Sequence, residues 1–246
     1  MELNENLNFI IRDISEVSRY LWIKGWAEGN AGNISVDLSN LVSDDILNTY
    51  SDEMFSLNSS FPELSGLYFL FTLSGSKMRN IAERPFKNIA IIHIGDQGNS
   101  YQFIFTRKES KDVKLTSEIY SHLKIHQHLR KNNSPYRTVL HTHPTELIAL
   151  TQLKHLKDKK DVFEILTSIM PEVKLSLKEG LGLVKYFKPG SDKLASEIIN
   201  SLENYKVILL AKHGAMSLGS DVFQCFDQLD IVNKAASIYF FSRCCT

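Results

Sequence analysis

The chain lacks most of what would mark a secreted, membrane-spanning or nucleic-acid-binding protein. Its 28 basic residues are balanced by 28 acidic ones, so there is no positive field to gather a polyanion. No run of about 18 apolar residues, the length a membrane helix needs, occurs in it. Cysteine is confined to Cys225, Cys244 and Cys245, which is no disulfide framework and fits a reducing compartment. The terminal Cys244-Cys245 pair reads as incidental rather than as a redox centre. The opening Met1-Glu2-Leu3-Asn4-Glu5-Asn6 is acidic and polar, whereas a secretory leader is basic and then apolar. The expectation is a cytoplasmic protein. There is no internal repeat, long linker or low-complexity segment, and no dinucleotide fingerprint or Walker loop. What is present is 246 residues with 43% hydrophobic content, ample for one sizeable core and read as one domain over 1–246.

Apolar periodicity orders the chain. Leu7, Ile10, Ile11, Ile14, Val17 and Leu21 recur at three- and four-residue steps, one face of an amphipathic helix ending near Gly25. A turn-rich loop, Gly25-Trp26-Ala27-Glu28-Gly29-Asn30-Ala31-Gly32-Asn33, leads into Ile34-Ser35-Val36. Residues 37–65 are polar and read as a loose excursion. Strands are expected at 67–73, 88–94 and 101–106, the last two paired through a turn at 95–99. A helix is expected at 116–131, a strand at 137–141, and short helices at 145–152 and 161–170. A strand at 182–187, a helix at 190–204, a strand from Val207 and a helix over 221–241 complete the reading. Mixed elements without a regular βαβ rhythm predict an α/β sandwich around a mostly antiparallel sheet.

The chemistry concentrates in His141-Thr142-His143-Pro144 and, far downstream, His213-Gly214. Residues two apart on a strand point to one face, so His141 and His143 can reach one metal without bending the backbone. His213 follows the apolar run 207–211 and is expected at the end of a second strand. Three imidazoles leave a fourth position for water or substrate, the pattern of a catalytic zinc. Cobalt, nickel and copper suit the same ligands. An isolated His-x-His is more often an accident of surface or core; the third histidine and the following proline argue against that here.

Glu118, in Thr116-Ser117-Glu118, has two readings. An acid in the first turn favours a helix N-terminus, and a carboxylate beside a metal can serve as ligand or general base. The loops Gly29-Asn30-Ala31-Gly32-Asn33 and Ser74-Gly75-Ser76-Lys77 offer backbone N–H groups with amides and hydroxyls, suited to a phosphate monoester but equally to plain turns. His122 and His126 stand four apart on one helix face with no third ligand, and read as solvent-exposed or core-edge histidines. His93 reads as a hydrogen-bonded structural residue.

Taken together, the stretches 25–35, 116–118 and 141–151, with Lys212-His213-Gly214-Ala215 and the final helix, resemble the class II aldolase/adducin family. Their order and spacing hold across nearly the whole chain, and the Trp-containing loop and the Leu-Ile-Ala-Leu-Thr run favour the branch that cleaves L-rhamnulose 1-phosphate. The resemblance implies a homotetramer of α/β/α subunits with a nine-stranded, mostly antiparallel sheet. It implies zinc on His141, His143 and His213, one ion per subunit, and Glu118 as catalytic acid/base. It assigns phosphate to Asn30, Gly32, Asn33, Ser74, Gly75 and Ser76, and aligns Glu172 with an acid contributed by a neighbouring subunit. The activity implied is reversible cleavage to dihydroxyacetone phosphate and L-lactaldehyde. A fuculose-type aldolase, a pentulose-phosphate 4-epimerase and a non-enzymatic adducin-like binding module are the alternatives within the same family.

Overall fold

Among the described residues of the computed structural model (5–39, 41, 53–107, 113–156 and 158–244), nine strands form one sheet. In chain order they are β1 (Asn33–Asp37), β2 (Met54–Ser56), β3 (Tyr68–Thr72), β4 (Ile89–Ile94), β5 (Ser100–Thr106), β6 (Thr138–Thr142), β7 (Gly182–Val184), β8 (Val207–Leu210) and β9 (Gly214–Gly219). Their order across the sheet is β2-β5-β4-β3-β1-β6-β9-β8-β7. Every pairing is antiparallel except β7 with β8, so the expected α/β sandwich on a mostly antiparallel sheet is the fold found.

The helices are α1 (Glu5–Ile23), α2 (Met78–Glu83), α3 (Ile119–Lys131), α4 (Thr145–Leu150), α5 (Lys159–Ile169), α6 (Glu172–Ser176), α7 (Asp192–Leu202) and α8 (Val222–Cys244). The stripe of α1 buries Leu7, Ile11, Ile14, Val17 and Leu21, each burial stabilising by about 1.5–3 kcal/mol. These residues join α4, α5 and α8 in one core, against Ile34 and Val36 of β1, Leu140 of β6 and Leu209 of β8. On the other side, the two halves of α3 serve separate apolar clusters. Ile119 and Leu123 pack with Phe69, Phe71 and Ile92, while Ile125 and Leu129 pack with Val139, Met216 and the α7 residues Leu194 and Ile198. Ser191 caps α7, its hydroxyl accepting from the Leu194 N–H at 3.2 Å.

Four elements depart from the sequence-based expectation. The loose excursion contains the short edge strand β2 in its described part. Helices α2 and α6 were not expected and are too short for a 3.6-residue repeat to show. Strand β9 was also unexpected: all six of its residues are buried, so it lacks the polar–apolar alternation of a half-exposed strand. His213 therefore does not end a strand but occupies a tight hairpin turn between β8 and β9, and Gly214 begins the next strand instead of closing the last.

Candidate metal centre and acid/base site

The strand β6 carries His141 and Thr142, and His143 lies one residue beyond it. The Trp26 carbonyl accepts from Thr142 Oγ1 at 2.6 Å and from the His143 N–H at 2.8 Å. That one carbonyl ties the loop after α1 to the end of β6. Trp26 is itself held by its buried ring, which meets Phe226 of α8 at 5.9 Å between centroids. The β8–β9 turn presents His213, with Lys212 in the left-handed region at φ 62° and the His213 N–H donating to the Leu210 carbonyl at 3.0 Å. Nitrogens of His141, His143 and His213 lie within 4.8 Å of one another.

The residues present fit a metal ion. His141 Nδ1 lies 3.0 Å from the Ala215 carbonyl, and His143 Nδ1 lies 2.8 Å from Glu28 Oε1. Each Nδ1 therefore carries the proton, which leaves a bare lone pair on each Nε2. These two Nε2 atoms face each other at 3.2 Å, a repulsive arrangement unless a cation is shared between them. Tetrahedral zinc–imidazole bonds would set such atoms about 3.3 Å apart. His213 Nδ1 is buried and, among the described residues, has no hydrogen-bond partner. Burial lowers the His213 pKa to about 4, and the neighbouring His141 adds to the shift. Burial also lowers that of His141. Neutral imidazoles are the form that binds metal.

Glu118 occupies the cap position of α3, yet its side chain makes no capping hydrogen bond. It turns inward, with Oε2 at 3.4 Å from His141 Nε2 and Oε1 at 3.9 Å from His213 Nε2. Burial opposes its ionisation, but His141, the Asn33 amide, His213 and His122 outweigh that and hold its pKa at about 2. It is thus an ionised carboxylate beside the triad, while at the start of α3 it is the Thr116 hydroxyl that accepts from the Glu118 N–H, at 3.3 Å.

A cavity of about 150 Å³ opens over these groups, lined by Asn30, Gly32, Ser74, Gly75, Thr116 and Ser117 as well as by Glu118 and the three histidines. Gly32 has φ 81°, and a Cβ on it would press on the His141 carbonyl at 3.1 Å. Two residues expected in the anion cradle have their side chains committed elsewhere. Asn33 donates from Nδ2 to Glu118 Oε2 at 2.7 Å, and its Oδ1 meets His122 Nε2. Ser76 does not line the cavity, and its hydroxyl donates to the Asn88 carbonyl at 3.4 Å. Thr116 and Ser117 also line the cavity, and nothing in the sequence marks them beyond their place beside Glu118. Glu172, at the exposed start of α6, does not line this cavity. His122 and His126 are neither exposed nor at the core edge: both are fully buried.

An open cavity brings together three convergent imidazoles that could hold a metal ion and one carboxylate beside them, set on this sheet. The chain belongs to the class II aldolase and adducin family: the model of the Class II Aldolase and Adducin N-terminal domain matches residues 12–240. It is 39% identical over 230 residues to a rhamnulose-1-phosphate aldolase of Bacteroides thetaiotaomicron, covering 93% of this chain and 84% of that one. A rhamnulose-1-phosphate aldolase of Mannheimia succiniciproducens is 28% identical over 238 residues, covering 94% and 85%. Among solved structures, a sugar-phosphate aldolase from Thermotoga maritima superposes with a TM-score of 0.81 at 30% identity, covering 95% of this chain and 94% of that one. An L-fuculose-1-phosphate aldolase from Thermus thermophilus shares the fold at a TM-score of 0.61 and 16% identity, with 95% and 94% coverage.

Proposed function

We propose that the protein is a metal-dependent aldolase that reversibly cleaves L-rhamnulose 1-phosphate into dihydroxyacetone phosphate and L-lactaldehyde. The observation that carries this reading is the ionised Glu118 carboxylate standing 3.4 Å from a histidine of the triad, in a chain 39% identical to a rhamnulose-1-phosphate aldolase. His141, His143 and His213 would hold the ion, which we take to be zinc because three imidazoles with a fourth position left for substrate are the usual set of a catalytic zinc. A divalent ion there would supply Lewis-acid stabilisation of the negative charge shared by C3 and the C2 oxygen, so that no Schiff-base lysine is needed.

Cleaving the C3–C4 bond requires the C4 hydroxyl to lose a proton and C3 to gain one. In condensation the ionised Glu118 would remove the C3 proton of dihydroxyacetone phosphate; in cleavage it would accept the proton lost by the C4 hydroxyl and deliver one to C3, so that it ends each turnover ionised as it began. The phosphate would rest on Asn30, Gly32, Ser74 and Gly75, with the backbone of Asn33 and Ser76 behind them. Anchoring a remote group in this way uses its binding energy for orientation at the reacting carbons. We further read the chain as a single domain acting in the cytoplasm as a homotetramer, with Glu172 offered to a neighbouring subunit. Among the described residues, no helix is long and apolar enough to cross a membrane.

The test is a coupled assay for dihydroxyacetone phosphate released from L-rhamnulose 1-phosphate, run beside L-fuculose 1-phosphate, before and after chelation. Chelator-sensitive release that favours rhamnulose supports the reading. Release that favours fuculose keeps the chemistry and moves the substrate. No release from either, by protein shown to contain metal, overturns the aldolase.

A further inference from the structure

Beneath Glu118, a line of polar groups, buried down to the half-buried Arg130 at its far end, runs where α3 packs on β1. Asn33, Ser35 and Asp37 alternate along β1, on the opposite face from Ile34 and Val36. Glu118, His122, His126 and Arg130 repeat every four residues along α3. Two strand residues advance about 6.7 Å and four helical residues about 6 Å, so the two rows stay in step. Asn33 joins Glu118 to His122. Ser35 Oγ lies 2.6 Å from His122 Nδ1 and 2.7 Å from His126 Nε2. Asp37 closes the row with bonds of 2.6 and 2.7 Å to Arg130.

The Asn33 amide, as it lies, determines where every proton in this line must be. Its Nδ2 donates to Glu118 Oε2 at 2.7 Å and its Oδ1 faces His122 Nε2, so the NH₂ serves the carboxylate and the carbonyl can only accept from the imidazole. His122 must then donate from Nε2, leaving Nδ1 to accept from the Ser35 hydroxyl. Ser35 in turn accepts from His126 Nε2–H. The opposite sense would bring the Asn33 carbonyl against the carboxylate. Burial first of all keeps both histidines neutral, with pKa values of about 3 for His122 and about 4 for His126.

We propose that Ser35, His122 and His126 are positioning residues, whose one-directional hydrogen bonds lock the Asn33 amide with its NH₂ toward Glu118 and so fix the carboxylate against the triad. The rate consequence rests on Glu118 acting as the acid/base proposed above. The locked sense of the hydrogen bonds does not.

Two measurements test it. Long-range ¹H–¹⁵N spectra of the full-length, zinc-loaded, ¹⁵N-histidine-labelled protein are expected to show His122 and His126 both protonated on Nε2. A proton on Nδ1 of His122 overturns the proposal, and this reading needs no variant that must fold. In kinetics, Ser35→Ala is expected to lower kcat by about 10-fold or more, with KM held within about twofold and metal content unchanged. Ser35→Thr, which keeps the hydroxyl, is expected to restore the rate, and Ser35→Ala is expected to cost little further once Glu118→Gln is present. An unchanged kcat, a KM rising in step, or an equal loss in the Glu118→Gln background overturns it. If the unmodified enzyme cleaves no sugar phosphate, the aldolase reading has failed, and the tautomers still decide the orientation of Asn33.

Discussion

Gly214 lies so close to His143 that a methyl group added to it would stand 2.8 Å from Cδ2 of that ring. The same group would meet the Thr142 carbonyl at 2.4 Å and His141 Cε1 at 3.1 Å. The carbonyl belongs to β6, paired on both sides, so it cannot yield, and the imidazoles would have to. Gly214→Ala should therefore weaken metal binding by about 10-fold or more, in the range of lost ligand orientation. Competition against a chromophoric chelator measures this, and unchanged affinity would show that the rings have room to spare.

Glu28 aims His143 through the contact to Nδ1. Its side chain is mostly exposed, so water can replace part of what it does. Glu28→Ala should lower metal affinity by roughly 10-fold, the low end for such supporting partners, and leave the thermal midpoint of the metal-free protein where it was. A fall in that midpoint instead would make Glu28 a stability residue.

Glu118→Gln keeps the shape of the side chain and an acceptor for Asn33 but removes the base. Turnover is expected to fall by at least about 100-fold, with bound metal unchanged by elemental analysis. A variant that still turns over at the original rate would end the assignment of Glu118 as acid/base.

Acid should unfold the protein early. His122 and His126 have folded pKa values of about 3 and about 4, against about 6.5 in the unfolded chain. Between those limits the unfolded state binds more protons, so stability is fullest above pH 6.5 and declines as pH falls. The decline approaches about 1.4 kcal/mol per pH unit for each histidine. Urea midpoints at pH 7, 6 and 5 read it directly. His126→Gln should flatten the slope, and a slope indifferent to that change would place the acid sensitivity elsewhere.

Much of this site could be read from one-dimensional spacing, because much of it is local. The two-residue spacing of His141, near the end of β6, and His143, just past it, is enough to aim both at one point, and the stripe of α1 announces its buried side at every turn. The rest depended on distance along the chain. Glu118 satisfied two readings because an acid suits a helix start as well as a metal; only the packing of α3 over β1 turned it inward. His122 and His126 read as solvent-exposed or core-edge groups because the hydroxyl that satisfies both, on Ser35, lies far upstream. Strand β9 went unseen for the opposite reason: buried throughout, it has no polar rhythm to betray it.

The equal stride of β1 and α3 also limits how the two can move. A helix resting on smooth apolar side chains can creep by fractions of an ångström. Here α3 is indexed against the strand, and any slide breaks the hydrogen bonds of Glu118, His122, His126 and Arg130 at once, finding no new match until it has advanced a whole notch of about 6 Å. The carboxylate at the end of that rack therefore keeps its place by a mechanism of detents, and thermal agitation of the surrounding loops has little leverage to shift it.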